Sequence, residues 1–175
     1  AGSFDFSTDP GLPGGWYPKP AVTNSATFVK DGGAMAYNAD EGLIYEMKGN
    51  KTDGFNSYDP EDSTWTLLSP IPTGTKPVKG GASMTTGAGK VFATKGNNSL
   101  EFYRYDIASA NWLPATKSVP LGAGKNVKAG GAMAFVTKPE GDFVYLLKGY
   151  GTEFYRYDVT DDSFTALTAA PSGAR

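Results

Sequence analysis

The 175-residue chain contains no cysteine and no histidine. These two absences together remove disulfides, thiol nucleophiles, imidazole bases and the usual zinc and copper ligands. No metal and no cofactor is expected, and nothing in the thiol chemistry marks a redox compartment. An excess of one charge is also lacking: 16 Lys and Arg stand against 18 Asp and Glu, a net charge of −2. That balance gives no electrostatic reason to expect nucleic acid or an anionic membrane as partner. No apolar run approaches the roughly 20 residues that span a bilayer. No segment sustains a helical period of apolar residues before Gly or Pro interrupts it. What is abundant is Gly (23) and Pro (12), which suits many tight turns, alongside 39% hydrophobic residues, enough for one globular core.

One stretch occurs three times. Phe55-Asn-Ser-Tyr-Asp59 followed by Trp65 returns as Phe102-Tyr-Arg-Tyr-Asp106 with Trp112, and as Phe154-Tyr-Arg-Tyr-Asp158 with Phe164. The step from Tyr58, Tyr105 and Tyr157 to Trp65, Trp112 and Phe164 is seven residues each time. Each copy follows a Lys-Gly step (Lys48, Lys95, Lys148) and, earlier, a glycine doublet (Gly32-Gly33, Gly80-Gly81, Gly130-Gly131), the doublets lying 48 and 50 residues apart. A period of this size with four strand signals per unit predicts an all-β chain of four-stranded antiparallel propeller blades.

Within a unit, small residues open an innermost strand at Gly33–Tyr37, Gly81–Thr85 and Gly131–Phe135. A polar turn leads to an apolar strand at Leu43–Met47, Lys90–Thr94 and Phe143–Leu147, completing a hairpin. The third strand alternates aromatic and polar residues and ends in an Asp able to close a turn, and the fourth carries the second aromatic before a Pro-rich linker. Blades are expected at 30–78, 79–127 and 128–175. Upstream, Ser3-Phe-Asp-Phe6 is similar to a third strand and Trp16-Tyr17-Pro18 to a fourth, so residues 1–29 read as the outer half of a further blade and its linker. Trp16 and Tyr17 would then join the blade packing. Three and a half blades leave unpaired faces, and completion is expected from another copy, as a homo-oligomer, or from the remainder of a longer chain. The chain opens at Ala1 rather than Met, which fits a removed signal peptide, a larger precursor or an excised piece.

With Tyr58-Asp59-Pro60, Trp65 and Leu68 in register with the roughly fifty-residue period, the sequence resembles kelch repeats across about residues 30–170. It departs from them at the end of the second strand, where kelch repeats carry Gly-Gly and this chain has Lys-Gly-Asn, Lys-Gly-Asn and Lys-Gly-Tyr. The departure is similar to diverged repeats of bacterial secreted or surface proteins, and the resemblance implies a secreted or cell-surface location. It also implies a ring of five to seven blades.

Two sets of lysines recur, Lys30, Lys79 and Lys128 beside the doublet and Lys48, Lys95 and Lys148 before the Lys-Gly glycine. One reading is a positive ring attracting an anion; the other, favoured by repetition in every unit, is that each holds neighbouring strands through a carboxylate such as Asp59, Asp106 or Asp158, or through loop carbonyls. The aromatics Tyr58, Tyr105, Tyr157, Trp65, Trp112 and Phe164 read as packing between blades. Asp59, Glu61 and Asp62, with Asp158, Asp161 and Asp162, read as Asp-rich turns rather than calcium ligands, because no twelve-residue calcium loop is present. Binding candidates lie in the loop after the second strand: Asn50, Lys51, Asn97, Asn98 and Tyr150. Asn50-Lys-Thr52 and Asn97-Asn-Ser99 are also glycosylation sequons, although Asn is favoured there as a residue tolerant of left-handed backbone.

A non-catalytic module for protein or carbohydrate interaction, or a structural scaffold, is therefore expected. A self-assembling subunit of a ring or fibre is the second expectation. Among kelch-like sugar enzymes, copper-radical oxidases need His and Cys and are excluded, and a sialidase-like arginine cluster is not available from Arg104, Arg156 and Arg175. An epimerase-like Glu/Arg site stays open.

Overall fold

The computed structural model describes residues 18–22, 28–114 and 117–172. Ser3–Phe6, Trp16 and Tyr17, the core of the proposed half blade, lie outside the described residues. All regular structure among the described residues is β; no helix there is long and apolar enough to cross a membrane.

Thirteen strands form three antiparallel meanders. The first contains β1 (Ala34–Asn38), β2 (Leu43–Met47), β3 (Phe55–Asp59) and β4 (Thr64–Leu67) in that spatial order. The third repeats it with β10 (Ala132–Lys138), β11 (Gly141–Leu147), β12 (Phe154–Asp158) and β13 (Ser163–Ala166). The middle one contains β5 (Ser83–Gly87), β6 (Lys90–Thr94) and β7 (Glu101–Asp106), and its fourth position is split. β8 (Asn111–Trp112) pairs with the end of β7, while β9 (Lys117–Ser118) pairs with its beginning.

The sheets stand side by side by their innermost strands. β5 lies against both β1 and β10. Thr86 Oγ1 donates to the Tyr37 carbonyl at 2.6 Å, and the Phe135 amide donates to Thr85 Oγ1 at 3.1 Å. Between the sheets lie two aromatic seams. In the first, Tyr45, Met47 and Phe55 meet Met84, Val91, Ala93, Tyr103 and Tyr105. In the second, Phe92 and Phe102 meet Val144, Leu146, Tyr155 and Tyr157. The recurrent aromatic pair of each incoming blade closes on the Phe of the blade before it: Phe55 lies 5.0 Å from Tyr105 and 4.9 Å from Trp112, and Phe102 lies 4.8 Å from Tyr157 and 5.1 Å from Phe164. Burial of rings this size dominates core energetics, which is why the seven-residue step recurs.

The register corrects one expectation. Ala34 faces Met47, Ser83 faces Thr94 and Ala132 faces Leu147, so the innermost strand of the second blade starts two residues after Gly81 rather than beside it. The structural equivalents are Gly32, Gly81 and Gly130, with φ of 87°, 91° and 86°, and these are 49 residues apart. A Cβ on Gly32 or Gly81 would run into the backbone carbonyl of Lys79 or Lys128 in the next blade. Left-handed backbone and close approach thus require glycine at that position. The other glycine of the doublet precedes Gly81 but follows Gly32 and Gly130, so Ala82 stands where Gly33 and Gly131 do.

At the other end of the chain order, Trp65 Nε1 donates to the Pro20 carbonyl at 2.9 Å, as Trp112 Nε1 does to the Ser69 carbonyl at 2.9 Å. Pro20 stands four residues after Trp16, as Ser69 stands four after Trp65. Residues 18–22 therefore take the place of a linker arriving from a preceding blade.

Candidate functional site

Meander connectivity puts the β2–β3, β6–β7 and β11–β12 loops and the blade-to-blade linkers on one face, and the two tight turns of each sheet on the other. The first face holds every residue singled out in the loops after the second strands. Its geometry begins with left-handed backbone. Gly49, Asn50 and Lys51 have φ of 69°, 53° and 64°; Gly96, Asn97 and Asn98 have 60°, 49° and 63°; Gly149 and Tyr150 have 72° and 56°. The Thr52 and Ser99 amides close the first two turns onto the Gly49 and Gly96 carbonyls, both at 2.9 Å. Asn dominates here because its short amide tolerates this conformation.

These turns are bolted to their neighbours. The Lys51 amide donates to the Val78 carbonyl at 2.9 Å and the Asn98 amide to the Val127 carbonyl at 3.0 Å, in each case crossing to the next blade. Asn50 Nδ2 donates to the Phe28 carbonyl and Asn97 Nδ2 to the Pro77 carbonyl, each at 3.0 Å. Both sequon amides are thus engaged in the fold. Asn50 and Asn97 anchor the loops; Lys51, Asn98 and Tyr150 are the exposed members.

The two lysine sets separate. Lys48, Lys95 and Lys148 are buried. Lys95 Nζ donates to the Pro72 and Thr73 carbonyls of the linker at 2.5 and 2.8 Å and pairs with Asp53 at 2.9 Å. Lys148 Nζ donates to the Pro120 and Leu121 carbonyls at 3.0 and 2.7 Å and pairs with Glu153 at 3.1 Å. The carboxylates belong to the loops between second and third strands, Asp53 in the preceding blade and Glu153 in the loop of Lys148 itself, and not to Asp59, Asp106 or Asp158, which instead accept amides of their own turns, such as Glu61, Ser109 and Thr160 at 2.8 to 2.9 Å. No group of acidic residues able to hold a metal ion occurs among the described residues. Lys30, Lys79 and Lys128, by contrast, make no ion pair among the described residues and reach solvent.

Between the second and third blades this face forms an open cleft of about 250 Å³ lined by Lys79, Gly80, Asn97, Asn98, Lys128, Ala129 and Tyr150. Tyr150 is 73% exposed, and the Lys128 ammonium lies 5.4 Å from its ring centre. The cleft contains two cations, two amides and an aromatic face, and no carboxylate. That set can bind and orient a ligand through charge, amide hydrogen bonds and an aromatic face.

The tyrosines whose hydroxyls are raised lie elsewhere, in the seams. Burial pushes the Tyr157 hydroxyl up to about 12, helped by its bond to Asp162 and opposed by Arg104. Burial also raises Tyr45, Tyr103 and the Glu46 carboxyl. For Asp162 burial acts upward, but Lys117, Tyr157 and Arg104 outweigh it and hold the carboxyl below its usual range. Arg104 is therefore a seam residue, 2.5 Å from Asp162 of the next blade. Arg156, its equivalent in the third blade, stacks on Phe143 at 4.5 Å.

Comparison with solved structures finds the same arrangement. The chain superposes on YjhT with a TM-score of 0.64 at 13% identity, over 88% of this chain and 54% of that one. It superposes on the WD40 repeats of RRP9 with a TM-score of 0.53 at 10% identity, over 77% of this chain and 36% of that one. The fold is a β-propeller, present in part. The chain spans about half the length of YjhT. No protein-family model matches the sequence, and no curated protein matches it in sequence.

Sequence reasoning missed how the charges divide between the two faces. The signal was available: lysines fall in the loops after the second strands and in the linkers, and carboxylates in the turns between the other strands.

Proposed function

We propose that the chain is a non-catalytic, kelch-type propeller module, acting at a cell surface or after secretion, that engages a protein or carbohydrate partner through the face carrying Asn98, Lys128 and Tyr150. The observation that carries this reading is the pairing of fixed loops with free side chains. The Lys51 and Asn98 amides cross to the Val78 and Val127 carbonyls and fix the first two loops, where the side chains of Lys51 and Asn98 are exposed, and Tyr150 is exposed beside them on the third. Binding residues on loops held by a rigid scaffold lose little entropy on engagement. The seam location of every strongly shifted tyrosine supports a binding rather than a catalytic role. An array of glycans and extracellular proteins probed with the native chain and with Tyr150→Ala tests it. The native chain is expected to mark partners that the variant loses; identical patterns would overturn the reading.

A second reading, self-assembly, is favoured by the outer face of the third blade. Tyr145 and Phe154 lie 5.8 Å apart there, matching Tyr45 and Phe55 at 5.8 Å and Phe92 and Phe102 at 6.0 Å. The two earlier pairs are capped by the next blade. The third lines an open apolar cleft of about 210 Å³ with Ala132, Ala134 and Leu147, suited to a blade from another copy or from further sequence. Sedimentation over a hundredfold range of concentration decides between them for this chain: a species of 18.4 kDa throughout would remove the self-assembly reading.

A further inference from the structure

The net charge of −2 conceals two faces of opposite sign. On the loop face stand Lys30, Lys51, Lys76, Lys79, Lys125 and Lys128, none of them ion-paired among the described residues. The carboxylates that approach this face are already held: Asp53 by Lys95, Glu153 by Lys148, and Glu101 by the Thr75 amide at 2.7 Å. Asp31 is the exception among the described residues. The turn face carries the exposed carboxylates Asp40, Glu41, Glu61, Asp62, Glu140 and Asp161, with Lys90 and Lys138 beside them.

We propose that the loop face binds a polyanionic polysaccharide, a chain bearing a carboxylate or sulfate group on successive sugars. This rests on the reading of that face as the binding face and names its ligand. The cations recur at the blade period, since Lys30, Lys79 and Lys128 are 49 residues apart, as are Lys76 and Lys125. An array of equivalent cations matches a ligand that repeats its anion, and several weak contacts then act as one through effective concentration. The charges are all ammonium. Arg104 is held in a seam and Arg156 lies on Phe143, so no guanidinium fork for phosphate is placed on this face among the described residues. Single-stranded nucleic acid is held by successive aromatic platforms in a basic groove; the one ring lining the cleft, Tyr150, is flanked by the Lys128 ammonium and fits one sugar ring beside its acid group. The exposed Asn98 amide completes a sugar-type lining.

The test measures binding of the whole chain to polygalacturonate, to heparin, to uncharged dextran and to a duplex DNA of matched charge, at about 50 mM salt, where screening is weak. Binding to one or both acidic polysaccharides is expected, with the better of the two identifying carboxylate or sulfate, and with dextran and DNA weaker by at least about tenfold. Lys79→Glu with Lys128→Glu should weaken it by at least about tenfold, while Glu61→Lys with Asp62→Lys on the turn face should not. Both pairs lack buried partners, so melting temperatures check that each variant folds. No binding to either polysaccharide, equal binding to DNA, or equal binding by the lysine variant would overturn the proposal. If the glycan and protein array still shows a Tyr150-dependent partner, only the polyanion claim falls; if it shows none, the binding-face reading falls too.

Discussion

The Lys95 ammonium lies 2.9 Å from the Asp53 carboxylate of the preceding blade, with the lysine side chain fully buried and the aspartate a quarter exposed. The same ammonium holds the Pro72 and Thr73 carbonyls of the linker, so one cation ties a loop, a linker and a second blade together. Removing it leaves a carboxylate and two carbonyls without their partner. Lys95→Met is expected to cost on the order of 3 kcal/mol in denaturant unfolding. Lys79→Met, in the other lysine set, is expected to change stability by less than about 0.5 kcal/mol. Equal effects would contradict the division of the lysines into ties and ligands.

The left-handed glycines supply a second contrast. Gly81→Ala places a methyl group against the Lys128 carbonyl of the next blade and should cost more than about 2 kcal/mol, because clash adds to the left-handed backbone cost. Gly89→Ala, also left-handed at φ 66° but with nothing within 4 Å, should cost about 1 kcal/mol. Thermal unfolding of the two variants side by side checks the order.

Glu46 is buried with one carboxylate oxygen accepting from Asn56 Nδ2 at 2.7 Å and the other without a hydrogen bond among the described residues. Burial raises its pKa from 4.5 despite Asn56 and Lys48, so the folded state binds the proton more tightly than the unfolded chain. The sign follows: stability from this group is greatest below 4.5 and declines as pH rises through the unfolded and then the folded value. Glu46→Gln should raise the melting temperature at pH 7, and the gain should fade as the pH drops below 4.5. Melting curves between pH 3 and 7, with Asn56 intact, read both.

Asp162 should behave in the opposite sense. Its carboxyl, held low by Lys117, Tyr157 and Arg104 against burial, contributes stability that is present above the ordinary value of 3.8 and lost as pH falls through the folded value. Asp162→Asn should lower the melting temperature at pH 7, with the deficit closing toward pH 2. A deficit independent of pH would assign Asp162 to packing instead.

Much of this fold is legible locally. The alternation in Phe102-Tyr-Arg-Tyr105, the turn-closing Asp106 and the seven-residue step to Trp112 are each short-range, and they mark strands three and four without reference to the rest of the chain. The register of the second blade is not legible from the doublet, because only Gly81 has a conformational reason to be glycine, while Gly80 stands in open space and Ala82 takes the place of Gly33 and Gly131. Nor does composition separate Lys95 from Lys79. Both repeat; what buries one and frees the other is the path of the linker, whose Pro72 and Thr73 carbonyls turn toward Lys95. The break after β8 is legible, since Pro114 cannot donate to a ladder, but the return of Lys117 and Ser118 to pair with the start of β7 is not. For the candidate site, position alone marks the loops, but the anchoring role of Asn50 and Asn97 against the outward role of Asn98 and Tyr150 depends on bonds to Phe28 and Pro77, distant in sequence.

Amide hydrogen exchange resolved to single residues tests most directly the claim that these units are blades that seal one another through the loops after their second strands. The Lys51 and Asn98 amides, bonded across the seams to Val78 and Val127, are expected to exchange slowly, and the Gly151 amide, at the equivalent place on the third blade with no neighbour within 4 Å of that glycine's Cβ position, is expected to exchange at the rate of an open loop. Fast exchange at Lys51 and Asn98, equal to that at Gly151, would contradict it.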